Sequence, residues 1–174
     1  MAILSRVLAD NGALANEAQT FLGAGSLFTT GKVWFVNSVI GAASNAGTDP
    51  AAPVATLQQA IDLSRATKGD KIIVMPGHAE TVTATSIDIN KAGIAIICIG
   101  HGLARPTFTY GAAAATITVS AANCAFLGGH HIGNFLDVAS AFTLAAAKDF
   151  ELLDNTFVDN SASLGFLSIV VTNA

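Results

Sequence analysis

Charge is scarce in this sequence. Of its 174 residues only 11% are Asp, Glu, Lys or Arg, where an ordinary soluble domain carries about 25%. The net charge is −4 and no basic cluster exists to neutralise phosphates, which argues against nucleic acid as the main partner. Long hydrophobic runs are missing as well. Although 52% of the residues are hydrophobic, no stretch approaches the roughly 18 uninterrupted apolar residues of a membrane helix, so no membrane span is expected. The N-terminus does not read as a secretion signal, because Arg6, Asp10 and Glu17 interrupt it and no basic-then-apolar order is present. Only two cysteines occur, Cys98 and Cys124, both in apolar strand-like runs. Buried free thiols are the expectation, with a disulfide as the alternative. An apolar excess without a membrane helix points to a fold buried on two sides, to contacts between subunits, or to both.

Two regions differ in pattern. In residues 1–30, Ile3, Leu4, Val7, Leu8, Leu14, Ala15, Ala18 and Leu22 recur at three- and four-residue steps, the mark of an amphipathic helical arm broken near Asn11-Gly12. Gly23, Gly25 and Gly31 follow as a hinge. From residue 31 onward, 32–36 reads as a strand and 37–53 as a polar, turn-rich stretch. A helix is expected at about 57–67. Thr56 and Gln59 have capping-box spacing, Leu57, Ala60, Ile61 and Ser64 share a face, and Gly69 stands where a C-cap glycine belongs. Lys71 to Met75 is then a strand closed by Pro76-Gly77.

Beyond that point only short apolar runs separated by turns are found, and they repeat. The runs at 116–119, 141–144 and 166–169 start 25 residues apart. Within this period 124–127 falls over 149–152, setting Phe126 against Glu151, and His130-His131-Ile132-Gly133 falls over 155–158. Residues 86–89, 94–99 and 107–110 form an earlier triplet with an insertion around 101–106. Three short strands per coil, with coils stacked so that like strands pair in parallel, describe a parallel β-helix. The expected architecture is therefore all-β over 31–174, with a capping helix at its start and the arm of 1–30 as a separate assembly segment.

Residues 31–82, running from Gly31-Lys32-Val33-Trp34 through the 57–67 helix and Gly69-Asp70-Lys71-Ile72 to Pro76-Gly77, resemble the entry module of right-handed parallel β-helix, pectin-lyase-like proteins. Residues 93–110, with Gly100-His101-Gly102 before Arg105-Pro106, look like the next coil. The resemblance is to a fold that serves lyases, adhesins, and tail or capsid proteins alike. The plain N-terminal segment and the Ala/Gly/Thr-rich coils look most like a bacteriophage virion structural protein, a capsid decoration or head-fibre component. That resemblance implies a non-enzymatic protein in the virion, assembled in the bacterial host cytoplasm. It would contact the major capsid protein or tail components through residues 1–30, and would often be a homotrimer. The alternative it leaves open is a tailspike-type β-helix that binds or degrades a host-surface glycan.

No catalytic, cofactor or metal site is expected. Lyase chemistry on this fold needs clustered acids for calcium and a basic residue. The acids in the coils are Asp88, Asp137, Asp149, Glu151, Asp154 and Asp159; Asp154 and Asp159 flank one strand, but Gly129 and Asn134 stand a coil earlier where stacked acids would be needed. Arg105 is the only arginine of the coils and lies in a Gly/Pro turn. His130 and His131 are adjacent on a strand and must point to opposite faces, so they cannot chelate one ion; His78 and His101 sit in separate turns. Gly100-His101-Gly102 and Gly128-Gly129 read as turns rather than phosphate loops, since no helix start follows them. Trp34 is expected to pack the first coil against the capping helix, with sugar stacking as the alternative. The sequence stops just after the first strand of a new coil, and the expectation is an end covered by oligomerisation or a chain that runs past Ala174.

Overall fold

A computed structural model describes residues 31–172 of the protein; the arm read over residues 1–30 lies outside them. In chain order the elements are β1 (Val33–Val36), α1 (Leu57–Leu63), β2 (Lys71–Val74), β3 (Ala79–Val82), β4 (Ile87–Ile89), β5 (Ala95–Cys98), β6 (Thr107–Tyr110), β7 (Ile117–Val119), β8 (Ala125–Leu127), β9 (His130–Gly133), β10 (Phe142–Leu144), β11 (Glu151–Leu153), β12 (Thr156–Asp159) and β13 (Val170–Thr172). The strands form three sheets, ordered β1-β2-β5-β8-β11, β3-β6-β9-β12 and β4-β7-β10-β13. Every ladder pair within them is parallel. Each coil visits the three sheets in turn and the next coil stacks on it, which is a parallel β-helix.

Alternation along each strand sends one residue in two to the interior. In the first sheet Trp34, Ile72, Ile96, Phe126 and Leu152 stand in register. The first four are buried and Leu152 packs against their cluster. Because like positions stack, one ladder of apolar side chains supplies a face of the core that no single coil could bury. Phe126 meets Phe108 and Phe142 edge-on, at centroid distances of 5.6 and 5.4 Å, an arrangement aromatic rings favour.

The period is not a uniform 25. Ile117 pairs with Phe142 at that spacing, but Ala125 pairs with Glu151 and His130 with Thr156, both at 26, and Phe142 pairs with Val170, at 28. One extra residue enters between β10 and β11, so Phe126 lies over Leu152 rather than over Glu151, and both stay inside. Two more enter between β12 and β13. The strand expected at 166–169 is consequently found at Val170–Thr172, while Phe166 makes only a single parallel bridge to Val138. Turns absorb such insertions because a coil is constrained by its strand pairing, not by its loop lengths.

One corner of the helix is built from residues in the left-handed region. Thr67, Gly93, Asn123 and Asp149 have φ of 61, 75, 57 and 56°. The N–H of Thr67 donates to Ala92 O (2.7 Å), that of Gly93 to Ala122 O (3.0 Å) and that of Asn123 to Lys148 O (2.7 Å). Asn, Asp and Gly tolerate this conformation best, so the corner repeats a backbone shape rather than a residue.

α1 closes the N-terminal end of the stack. Its capping box forms as expected, with Thr56 accepting from Gln59 N and Gln59 answering at the Thr56 backbone. Leu57, Ala60 and Ile61 are fully buried, and the helix lies against β1, β2 and β4. It is shorter than the expected 57–67, because Ser64 turns extended (φ −72°, ψ 159°) and donates its N–H back to Ala60 and Ile61. Gly69 therefore does not cap the helix but belongs to the turn into β2. Gln58 Oε1 accepts from Asp88 N (2.7 Å) and ties the cap to β4.

Candidate functional site

The ionisable side chains inside the body hold the coils to one another. Asp70 is fully buried. It accepts from Lys32 N (2.8 Å), Trp34 Nε1 (3.1 Å), Arg65 N (2.9 Å) and the Arg65 guanidinium (2.8 Å). Burial alone would raise its pKa, but the Arg65 guanidinium and the surrounding N–H donors outweigh it and hold the carboxyl well below the usual carboxylate range. Trp34 is buried with its indole N–H used in this way, so a sugar-stacking role does not fit it. Asp70 and Glu80 were missed as functional positions in the sequence reading. The signal available for Asp70 was the Gly69-Asp70-Lys71 turn before a strand.

His78 and Glu80 form a second tie. His78 Nδ1 accepts from Ser38 N (3.0 Å), which leaves Nε2 as the donor to Glu80 Oε2 (3.1 Å). Glu80 Oε2 also accepts from Leu57 N (2.9 Å), so the pair joins the first long loop, β3 and the start of α1.

His130 and His131 point to opposite faces, as adjacent strand residues must. His131 faces inward and is fully buried, its ring stacked on Phe108 (5.4 Å, 18°) and on Phe157 of the next coil (4.8 Å, 15°). Nε2 lies 3.2 Å from Asn155 Oδ1, an acceptor only, so Nε2 carries the hydrogen and the Tyr110 hydroxyl donates to Nδ1 at 3.1 Å. Gly128 and Gly129 make room for this arrangement. Gly128 has φ +79°, and a Cβ on Gly129 would stand 2.7 Å from His131 Nε2. Burial pushes the His131 pKa down to about 3; the Asn155 bond opposes the shift, and His130 and Arg105 add to it.

This shift has a stability consequence. The unfolded chain titrates this histidine near 6.5, so it binds a proton below that pH while the folded protein refuses it down to about 3. Stability from His131 is complete above about 6.5 and falls as pH drops through that window, by roughly 2 kcal/mol at pH ~5. Denaturant unfolding at pH 7.5 and 5 will show this loss in the wild type and not in His131→Phe. A variant whose pH dependence matched the wild type would contradict the assignment.

Arg105 is a clasp across coils. Its Nε donates to Gly128 O (2.9 Å) and its terminal nitrogens to Thr156 Oγ1 and Asp154 O. The coil acids are spread over turns and strands. Asp137, Asp149 and Asp154 occupy left-handed turn positions, Asp88 accepts from Ser120 Oγ (2.6 Å) and Asp159 from Phe166 N (3.0 Å). Asp137 and Asp159 share a shallow depression with Leu136 and Phe166 near the last coil. Glu151 stands apart from them, on the outer face of the first sheet. Among the described residues, no three His, Cys, Asp or Glu side chains are grouped as metal ligands would be. Cys98 and Cys124 are buried free thiols, and burial pushes the Cys98 thiol beyond any physiological titration. His101 precedes a one-turn 3₁₀ helix, Gly102–Ala104, which the sequence reading had not placed and which is too short to gather an anion.

The outer face of the first sheet is also built by stacking. Its outward ranks are also in register: Phe35, Ile73, Ile97, Leu127 and Leu153 in one, Val33, Lys71, Ala95, Ala125 and Glu151 in the other. Within this wall Ile73 and Ala95 are only 5% and 8% exposed, while Leu153 is 50% exposed. Lys71, Ala95, Ala125 and Glu151 line a shallow depression beside this wall. Burial pulls the Lys71 amine below its ordinary value.

No family model and no curated protein matches the chain. Among solved structures it is similar to a rhamnogalacturonan lyase, with a TM-score of 0.51 and 22% identity over 74% of this chain and 38% of that one. The likeness is one of fold. The chain is a parallel β-helix, and the match spans about two fifths of that lyase's length.

Proposed function

We propose that the protein is a non-enzymatic structural β-helix of an assembled particle. The family resemblance of its sequence favours a bacteriophage virion component, a capsid decoration or head-fibre protein that anchors through residues 1–30 and displays the coils. The observation that carries this reading is the use made of the reactive side chains. Asp70, His78, Glu80, Arg105 and His131 all bond to other coils or to the cap, and the outward wall of the first sheet is apolar. A surface poor in charge and rich in aligned aliphatics suits contact with other protein surfaces.

Deletion of residues 1–25 tests the anchoring role. The coil body is expected to fold with an unchanged melting profile, while electron micrographs of particles lose the density that the full-length protein adds. Particles decorated equally by the deletion protein would overturn the reading.

A second reading, a polysaccharide-binding or polysaccharide-degrading β-helix, is favoured by the likeness to the rhamnogalacturonan lyase. Incubation with rhamnogalacturonan, with and without calcium, separates the two. Release of unsaturated chain ends would replace the structural role with a catalytic one.

A further inference from the structure

The outer wall of the first sheet is self-complementary. Its polar rank carries one cation and one anion: Lys71 on the second strand and Glu151 on the fifth, with only Ala95 and Ala125 between them. Three strand steps separate the two charges, about 14 Å at the ordinary spacing of parallel strands, too far for them to pair within one chain. Neither has an ion-pair partner among the described residues.

Consider a two-fold axis running along the strand direction midway between β5 and β8. It places β2 of one copy over β11 of the other and β5 over β8, without changing position along the strand. Lys71 then faces the second copy's Glu151, and Glu151 the second copy's Lys71. Ala95 faces Ala125, with no bulk to hold the sheets apart, and in the apolar rank Ile97 faces Leu127 and Ile73 faces Leu153. A two-fold contact requires a patch to match its own rotated image, and both ranks of this wall do so.

We infer that the outer face of the first sheet is a docking surface for a second copy of this chain, giving a face-to-face dimer with two reciprocal Lys71–Glu151 pairs. This is a two-fold contact in place of the three-fold one that the family resemblance implies, and it stands whether or not the β-helix belongs to a particle. The four matched strands cover on the order of 250 Å² per copy, taking about four residues at ~3.3 Å along each strand. That is well short of the roughly 800 Å² per partner of a stable complex, so the dimer is weak and concentration-dependent.

Sedimentation equilibrium of the full chain over a range of concentrations tests this, with three variants: Lys71→Glu, Glu151→Lys and the double swap. Both side chains point away from the core, and a thermal melt of each variant checks that it is folded before its association is compared. Each single variant sets like charges face to face twice, and its dimer should dissociate about tenfold more readily, equivalent to about 1.4 kcal/mol. The double swap restores both pairs and should recover wild-type association, and added salt should weaken the wild-type dimer. A wild-type chain that stays monomeric at every concentration, or forms trimers, overturns the inference. So does a double variant no better than the singles.

Discussion

Alanine at position 70 is expected to destabilise the protein by about 3 kcal/mol, because its buried carboxylate is the acceptor for several N–H donors. The carboxylate accepts the indole N–H of Trp34, and it also serves the backbone N–H of Lys32 and Arg65. Truncation leaves the buried indole N–H without an acceptor, at a cost of about 1–3 kcal/mol, and strips the part-buried N–H groups of Lys32 and Arg65 of theirs. Asp70→Asn separates shape from charge, since it keeps one oxygen but turns an amide toward the donors. It should fall between the wild type and Asp70→Ala. The pH dependence has a definite sign. A carboxyl held below its ordinary value stabilises the fold above the unfolded pKa, near 3.9, and that stability is lost as pH falls below it. Denaturant midpoints measured from pH 5 down to 2.5 should decline more steeply in the wild type than in Asp70→Asn. Parallel curves would show that the charge of Asp70 contributes nothing.

The second large effect concerns the cap. Leu57 and Ile61 are fully buried at the end of the stack where β1 and β4 begin. Replacing both with Asp removes about 2 kcal/mol of apolar burial at each site, and burying an unpaired carboxylate costs several more. The sum exceeds the 5–15 kcal/mol that holds a typical domain folded, or comes close to it. The double variant is therefore expected in the insoluble fraction, since a detached helix bares unpaired strand groups and the apolar interior of the first coil. Asp62→Lys, on the exposed side of the same helix, serves as the control and should stay soluble with a normal melt. A soluble, normally melting Leu57→Asp/Ile61→Asp protein would show that the coil end needs no cover.

The sequence by itself determined the coil and its cap. Alternation with a period of two, runs separated by turn residues, and repetition near 25 residues are local or translational signals, because each coil must present the same face to its neighbours. The capping box at Thr56 and Gln59 was legible because both partners lie within one helical turn. The opposed directions of His130 and His131 followed from strand geometry alone. The exact register was not legible. An insertion of one residue before β11 and two before β13 leaves no mark in a turn, and only the pairing of Phe126 with Leu152 and of Phe142 with Val170 reveals it.

The remaining features were decided by tertiary structure because their partners are far apart in the chain. Asp70 meets Lys32 and Trp34 across 38 and 36 residues, and Arg105 reaches Thr156 across 51. No spacing rule links such positions. They become neighbours only when one coil lands on another. The same holds for the outer wall of the first sheet. Phe35, Ile73, Ile97, Leu127 and Leu153 look like ordinary core residues in the sequence, since alternation tells which residues share a face but not which face is inside. Stacking gave Ile72 and its rank to the interior and left Ile73 and its rank outside. The surplus of apolar residues visible in the composition is thereby resolved into a filled core and one apolar exterior.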